Sequence, residues 1–397
     1  MEATLPPAAD NTPIPYLDCA ATTPLEPRVR EVVLRYLDVD FGNAGSTTHR
    51  YGTDARRAVE RARTQVGAVV DATRGEVVFT SGATESNNLA ILGLAEYGQS
   101  TGRTHIVSTA IEHRAVMEPL ETLAERGFSV TFVQPTAGGY VEPEAIARAV
   151  TDRTLLVSAM HVNNETGVLQ PVAEIADLLA DHSAYFHVDA AQGFGKHLPD
   201  LKHKRIDLIS ISGHKLYAPK GIGALIRRKR HGERPPLSPL TFGGGQETGL
   251  RPGTLAVPLI AGLGAASELA ASESDQWTTR CTAFSDHLLK ALAPLKPTLH
   301  GDPNRRLPHI VNLSFPGLSN ELVIDATNHL AAISDGAACT ASSKVCSHVL
   351  AAMGIGADEA AGALRFSWCH MTDEPDWPAF VEAVRQLRPT FTPGRVT

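Results

Sequence analysis

The chain has 397 residues, 43% hydrophobic and 20% charged, with a formal net charge of -7 from 36 Lys+Arg against 43 Asp+Glu. That length admits two or three domains and a large buried core, and the acidic excess argues against a dedicated nucleic-acid binder. The opening MEATLPPAADNTPIPYLD has neither a basic nor an apolar leader segment, and no run of roughly eighteen apolar residues could span a membrane.

From residue 24 to about 270, short β-branched runs alternate with helical patterns. The expected strands are VVFT (77–80), HIVST (105–109), VTFVQP (130–135), TLLVSAM (154–160), YFHVDA (185–190), DLISIS (207–212) and GALIRR (223–228). Segments such as EPEAIARAVTD and PVAEIADLLADH read as helices between them. This alternation predicts an α/β fold with a mostly parallel central sheet covered by helices on both faces. Ligands in such sheets sit at the carboxyl ends of strands. After about residue 270, ASESDQWTTRCTAFSDHLLKALAPL reads as a long amphipathic helix, followed by HIVNLSF, a mixed segment, ALRFS and a final helix. We expect a large domain over 24–270 and a smaller α/β domain over 271–397, with residues 1–23 packed against the smaller one.

Residues just after the strands carry the chemistry. EVVFTSGATESNNLAI passes from strand to helix through Ser81, Gly82, Ala83 and Thr84. Small residues at a helix N-terminus expose free N–H groups that suit a phosphate, although an ordinary strand–helix turn would look the same. YFHVDAAQ ends an apolar strand on Asp189, with Gln192 three residues on. A buried acid needs a partner, either a helix N-terminus or a cationic ring nitrogen. DLISISGHKLYAPKGIG supplies Ser212, His214 and Lys215 after the next strand. A lysine in an apolar cleft loses proton affinity and becomes nucleophilic. Phosphate cradle, carboxylate and lysine at one sheet edge together point to pyridoxal phosphate (PLP). His113 and Asn164 follow two further strands; His113 could stack on a flat cofactor and move protons, or be a satisfied core histidine. Arg365 in GALRFS could clamp a substrate carboxylate.

The five cysteines, Cys19, Cys281, Cys339, Cys346 and Cys369, include no CxxC pair, the pattern of a cytosolic protein with reduced thiols. Cys339 in ISDGAACTASS is either a buried small hydrophobe or an exposed thiolate on a mobile loop. RRKRHGERPP reads as a solvated basic loop, and FGGGQETGLRPGT lacks the strand–helix setting of a nucleotide fingerprint. No P-loop, HExxH or zinc-ligand spacing is present, so no metal is expected.

Taken in order, YLDCAATTP, FGNAGSTTHRYG, VVFTSGATESNNLAI, IEHRAV, SAMHVNNETG, FHVDAAQ, SGHKLYAPKGIGAL, GGGQETGLRPGT, DGAACTASS and LRFS resemble the cysteine desulfurases of the class-V aminotransferase, fold-type-I PLP group, over about residues 15–375. The resemblance implies that Lys215 carries PLP as a Schiff base, Asp189 pairs with the pyridine nitrogen and His113 stacks on the ring. Gly82, Ala83, Thr84, Ser212 and His214 would hold the phosphate. Thr254 would reach the phosphate of the other subunit, making a homodimer with shared sites. Asn164 and Gln192 would contact the phenolic oxygen and the substrate, and Asn43 and Arg365 the substrate carboxylate. Cys339 would attack the sulfur of L-cysteine, releasing L-alanine and passing the persulfide sulfur to a protein acceptor in iron–sulfur assembly, tRNA thiolation or DNA phosphorothioation. The family's longer, mobile Cys loop is implied as well. The thiol pattern, the lack of a membrane-length apolar run and the acidic balance lead us to expect a cytoplasmic protein that touches neither membrane nor nucleic acid directly.

Three departures stand out. Cys19 replaces the usual Asn of the LDNAAT motif, and Pro252 replaces a common Ser before Thr254, stiffening that loop. The Cys loop reads SDGAACTA, and Asp335 four residues before Cys339 places a like charge that opposes thiolate formation. Two other readings remain open: a related PLP lyase or transaminase, for instance on selenocysteine, and a non-catalytic interaction scaffold.

Overall fold

The computed structural model describes residues 14–336 and 347–388. Cys339 and Cys346 lie outside the described residues.

All seven expected strands form one sheet: β1 (Val77–Thr80), β2 (His105–Thr109), β3 (Ser129–Val133), β4 (Thr154–Met160), β5 (Tyr185–Asp189), β6 (Leu208–Ser212) and β7 (Gly223–Arg227), in the order β1-β7-β6-β5-β4-β2-β3. β7 pairs antiparallel with both β1 and β6, so β7 alone runs against the rest. The carboxyl ends of the other six therefore share one edge. β4 and β6 are buried at every position, as continuous apolar runs covered on both faces should be.

A second sheet of three antiparallel strands follows: β8 (Thr298–His300), β9 (Ile310–Ser314) and β10 (Ala363–Ser367), in the order β10-β9-β8. Its core holds Phe284, Leu288, Leu313, Phe366, Trp368, Trp377 and Phe380. The N-terminal segment is added to this sheet, with Asp18 bridged to Ser367 and Leu17 fully buried in the same core.

The long helix differs from its expected extent. It spans Val257–Leu292, starting fourteen residues before 271 (271 − 257). Its first half packs with the large-sheet core through Ile260, Leu263, Ala266 and Ala270, and its second half with the small-sheet core through Phe284, Leu288 and Leu292. The segment VPLIAGLGAASELA is apolar at nearly every position because most of it is buried, with only Glu268 exposed, so it shows little amphipathic period. A Cβ on Gly264 would lie 2.6 Å from the Ala62 Cα, so glycine permits the close approach of the helix Arg50–Ala68. Among the described residues no helix is long and apolar enough to cross a membrane.

Candidate active site

The cradle forms where β1 turns into the helix Ala83–Leu92. Gly223, at the start of β7, sits opposite both Thr80 and Ser212. A Cβ there would fall 2.4 Å from the Ile211 carbonyl oxygen and 2.6 Å from the Gly82 Cα, so only glycine lets the turn lie against β7. The Ser212 hydroxyl lies 3.7 Å from where a Gly82 Cβ would stand, and Ser81 N–H donates to Glu85 Oε2 at 2.7 Å. The first N–H groups of the helix have no intrahelical acceptor and are available to an anion.

Asp189 ends β5 and is buried. Its Oδ1 accepts from Ala191 N–H at 2.9 Å and its Oδ2 from Asn87 Nδ2 at 2.7 Å. Two donors keep the carboxylate fixed and ready for a cationic partner. Asn87 was not foreseen from the sequence; its place one helical turn beyond Ala83 was the signal that could have found it. Gln192 Nε2 donates to the Ala20 carbonyl at 2.9 Å, and both Gln192 Oε1 and Asn87 Oδ1 are buried without a hydrogen-bond partner.

Lys215 follows β6. Its Nζ donates to the Ala20 carbonyl and, at 2.8 Å, to that of Ala21. Burial, with lesser repulsion from Arg365 and Lys196, brings its pKa down to about 7; Asp18 and Asp189 oppose the change. His214 Nδ1 lies 3.2 Å from Thr22 Oγ1, and burial holds its pKa down to about 4. His113 caps the helix Arg114–Glu125, its Nδ1 accepting from Ala115 N–H at 3.1 Å. Burial lowers its pKa, and accepting at Nδ1 leaves Nε2 uncommitted to the cap. Behind it the fully buried Glu112 accepts from Thr109 Oγ1 at 2.6 Å and Met160 N–H at 2.8 Å. Burial pushes that carboxyl up to about 8.

The small sheet contributes Arg365 from β10. Its guanidinium donates to Asp18 Oδ1 at 2.7 Å and to the Asn164 carbonyl at 3.1 Å, while Nε is buried without a hydrogen-bond partner. Asp18, also missed in the sequence, thus orients the arginine. Burial raises the Asp335 carboxyl, against the pull of Arg365.

Gly82, Ala83, Thr84, His113, Asn164, Asp189, Gln192, Ser212, His214, Lys215 and Arg365 all line one cavity of about 810 Å³. Asn43 and Thr254 do not. They line a separate cleft of about 430 Å³ beside the Arg63–Glu247 ion pair, whose shortest contact is 2.7 Å. Cys19 is buried outside the cavity, its Sγ 3.9 Å from Thr372 Oγ1, and neighbouring Cys369 together with burial raises its pKa strongly.

Residues 15–380 match the family model of class-V aminotransferases. The chain belongs to that family. The family is PLP-dependent, and the donor set here fits the group: an amine for the aldehyde, a carboxylate for the ring nitrogen, and a glycine-permitted helix N-terminus for the phosphate. The buried, unpartnered Gln192 Oε1 and Asn87 Oδ1 are polar atoms that a bound polar ligand would satisfy. The chain is 44% identical over 373 residues to a cysteine desulfurase IscS of Rickettsia africae, covering 93% of this chain and 90% of the relative. It is 44% identical to a mitochondrial cysteine desulfurase of Arthroderma benhamiae, over 96% of this chain and 75% of the relative. Among solved structures it is similar to DndA from Streptomyces lividans (50% identity, TM-score 0.79, 89% of this chain and 99% of that chain). It is also similar to SspA in complex with cysteine (35%, 0.79, 89% and 98%) and to a NifS-like protein (32%, 0.86, 94% and 99%).

The lowered Lys215 pKa carries a kinetic expectation. Only the uncharged amine can add to an aldehyde, and below about 7 the amine is protonated. The rate at which apoprotein captures PLP, followed by absorbance in stopped flow, is therefore expected to rise with pH through about 7 and then level off. A rate that climbs only towards the ordinary lysine value of 10.5 would contradict the burial argument.

Proposed function

We propose that this protein is a cysteine desulfurase that takes sulfur from L-cysteine, releases L-alanine and leaves a persulfide on Cys339 for a protein acceptor. The observation that carries the reading is the convergence on one cavity of Lys215 from the large sheet and Arg365 from the small one. The names of the relatives and neighbours support the same chemistry.

PLP, when bound, supplies an electron sink that acidifies the substrate α-C–H. Lys215, with its proton affinity near neutrality, is suited to take that proton at Nζ. Arg365 holds the substrate carboxylate, with Asp18 fixing the guanidinium plane. His113 has Nε2 available to carry protons between thiols and substrate. Cys339 forms the new S–S bond as the substrate Cβ–S bond breaks, and the carbon takes a proton. The sum is L-cysteine plus Cys339–SH giving L-alanine plus Cys339–S–SH, with no external oxidant or reductant.

The site is completed by a second copy in this reading. Asn43 and Thr254 line a cleft separate from the cavity of Lys215, and Val39 (64%), Phe41 (66%) and Phe242 (87%), close in sequence to residues of that cleft, are exposed. A homodimer that buries these side chains would bring Thr254 to the partner's phosphate and Asn43 to the partner's substrate. The acceptor is a protein of iron–sulfur assembly, tRNA thiolation or DNA phosphorothioation, and the location is cytoplasmic.

The test is product analysis on a panel of amino acids with the PLP-loaded protein and a dithiol. L-Cysteine is expected to give equal amounts of alanine and sulfide and to exceed L-selenocysteine and the non-sulfur amino acids in kcat/KM. A better substrate elsewhere in the panel, or sulfide without alanine, would overturn the reading.

A further inference from the structure

The sequence shows no metal-ligand spacing, but the fold assembles a trio from separate segments. His161 stands just past the end of β4, and His197 and Asp200 follow β5. One possible ligand atom from each lies within 4.8 Å of the others. His197 Nε2 is 3.3 Å and His161 Nε2 3.9 Å from Asp200 Oδ2. The His161 and His197 rings are 5.7 Å apart between centroids.

His161 is the informative member. Its side chain is 0% exposed, yet neither ring nitrogen has a hydrogen-bond partner. A fully buried, unpartnered imidazole is costly, and its position is imposed by close packing: a Cβ on Gly193 would fall 2.0 Å from Nδ1. Ligands about 2.0–2.1 Å from a tetrahedral zinc ion lie roughly 3.3 Å from one another. The His197–Asp200 separation of 3.3 Å already matches this, and the His161–Asp200 separation of 3.9 Å lies above it. His197 and Asp200 are 32% and 29% exposed, so solvent can enter and supply a fourth ligand.

We propose that His161, His197 and Asp200 form a binding site for a divalent transition-metal ion of the zinc type. Two imidazoles and one carboxylate suit zinc or cobalt(II) rather than magnesium or calcium. None of the three lines the cofactor cavity, so the ion would stand apart from the cofactor chemistry. It would clamp the segment 193–200 to the end of β4. His161 N–H donates to the Asp189 carbonyl at 2.8 Å, so the clamp lies directly behind the turn that carries Asp189 and Gln192.

The test uses chelator-treated, PLP-loaded protein titrated with cobalt(II) chloride and, separately, with zinc chloride against a chromophoric chelator. One equivalent per chain is expected, with visible d–d bands and without the near-ultraviolet charge-transfer band of a thiolate–cobalt bond. His197→Ala and Asp200→Asn change half-exposed residues; each is expected to weaken zinc affinity at least about 10-fold while leaving metal-free melting and the cofactor spectrum as in the parent protein. Absence of a bound equivalent, thiolate charge-transfer bands in place of d–d bands alone, or undiminished affinity in both variants would each overturn the site.

Discussion

Lys215→Ala is expected to remove the covalent hold on PLP and to lower turnover of L-cysteine by on the order of 10⁴-fold, the upper range for loss of a general base. Nζ is the amine that the cavity presents with a proton affinity near neutrality, and the substituted side chain offers nothing in its place. The phosphate cradle, Asp189 and Asn87 do not depend on the lysine, so PLP should still bind reversibly. Borohydride reduction followed by denaturation is the decisive measurement. The parent protein should retain the cofactor, and the variant should release it. Partial rescue by a small added amine would identify the lost group as an amine. A variant that keeps a borohydride-fixed cofactor would place the attachment on another lysine.

Cys339→Ala is expected to behave in the opposite way. The yellow cofactor spectrum and its shift on adding L-cysteine should persist, because the groups described around the cavity are untouched. Sulfide formation in the presence of a dithiol should fall by on the order of 10³-fold or more, as for loss of a nucleophile that acts in concert with a base. Mass spectrometry of the parent protein after one turnover should find one extra sulfur on the peptide bearing Cys339. Full sulfide release by the variant would remove the thiol from the reaction and favour a lyase on the same scaffold. The two substitutions together separate cofactor chemistry from sulfur chemistry.

The large sheet was legible because all its strands but the edge strand β3 are buried almost throughout and read as apolar runs bounded by polar turns. The cavity's principal residues were legible for a related reason. In a parallel sheet the residue after each strand must arrive at one edge, so Ser81–Thr84, His113, Asn164, Asp189 and Lys215 could be grouped before their contacts were known. The edge strand β8, three residues long, and the first half of the helix Val257–Leu292 were not legible. The strand is too short to show a period, and that half of the helix is buried around most of its circumference.

Local sequence thus determined the class of fold, the parallel sheet edge and the lysine, carboxylate and glycine turn that suit PLP. Tertiary structure alone decided which side chains support them. Asn87 stands 102 positions from Asp189 and Asp18 stands 347 from Arg365, and neither pair has a local signature. The same holds for His161 beside His197 and Asp200, and for the placement of Asn43 and Thr254 in a cleft away from Lys215. The physical reason is common to all of them. Strand ends are positioned by backbone hydrogen bonding, whose pattern is written in short periodic segments, whereas a buried polar contact forms only where packing brings distant elements within hydrogen-bond reach.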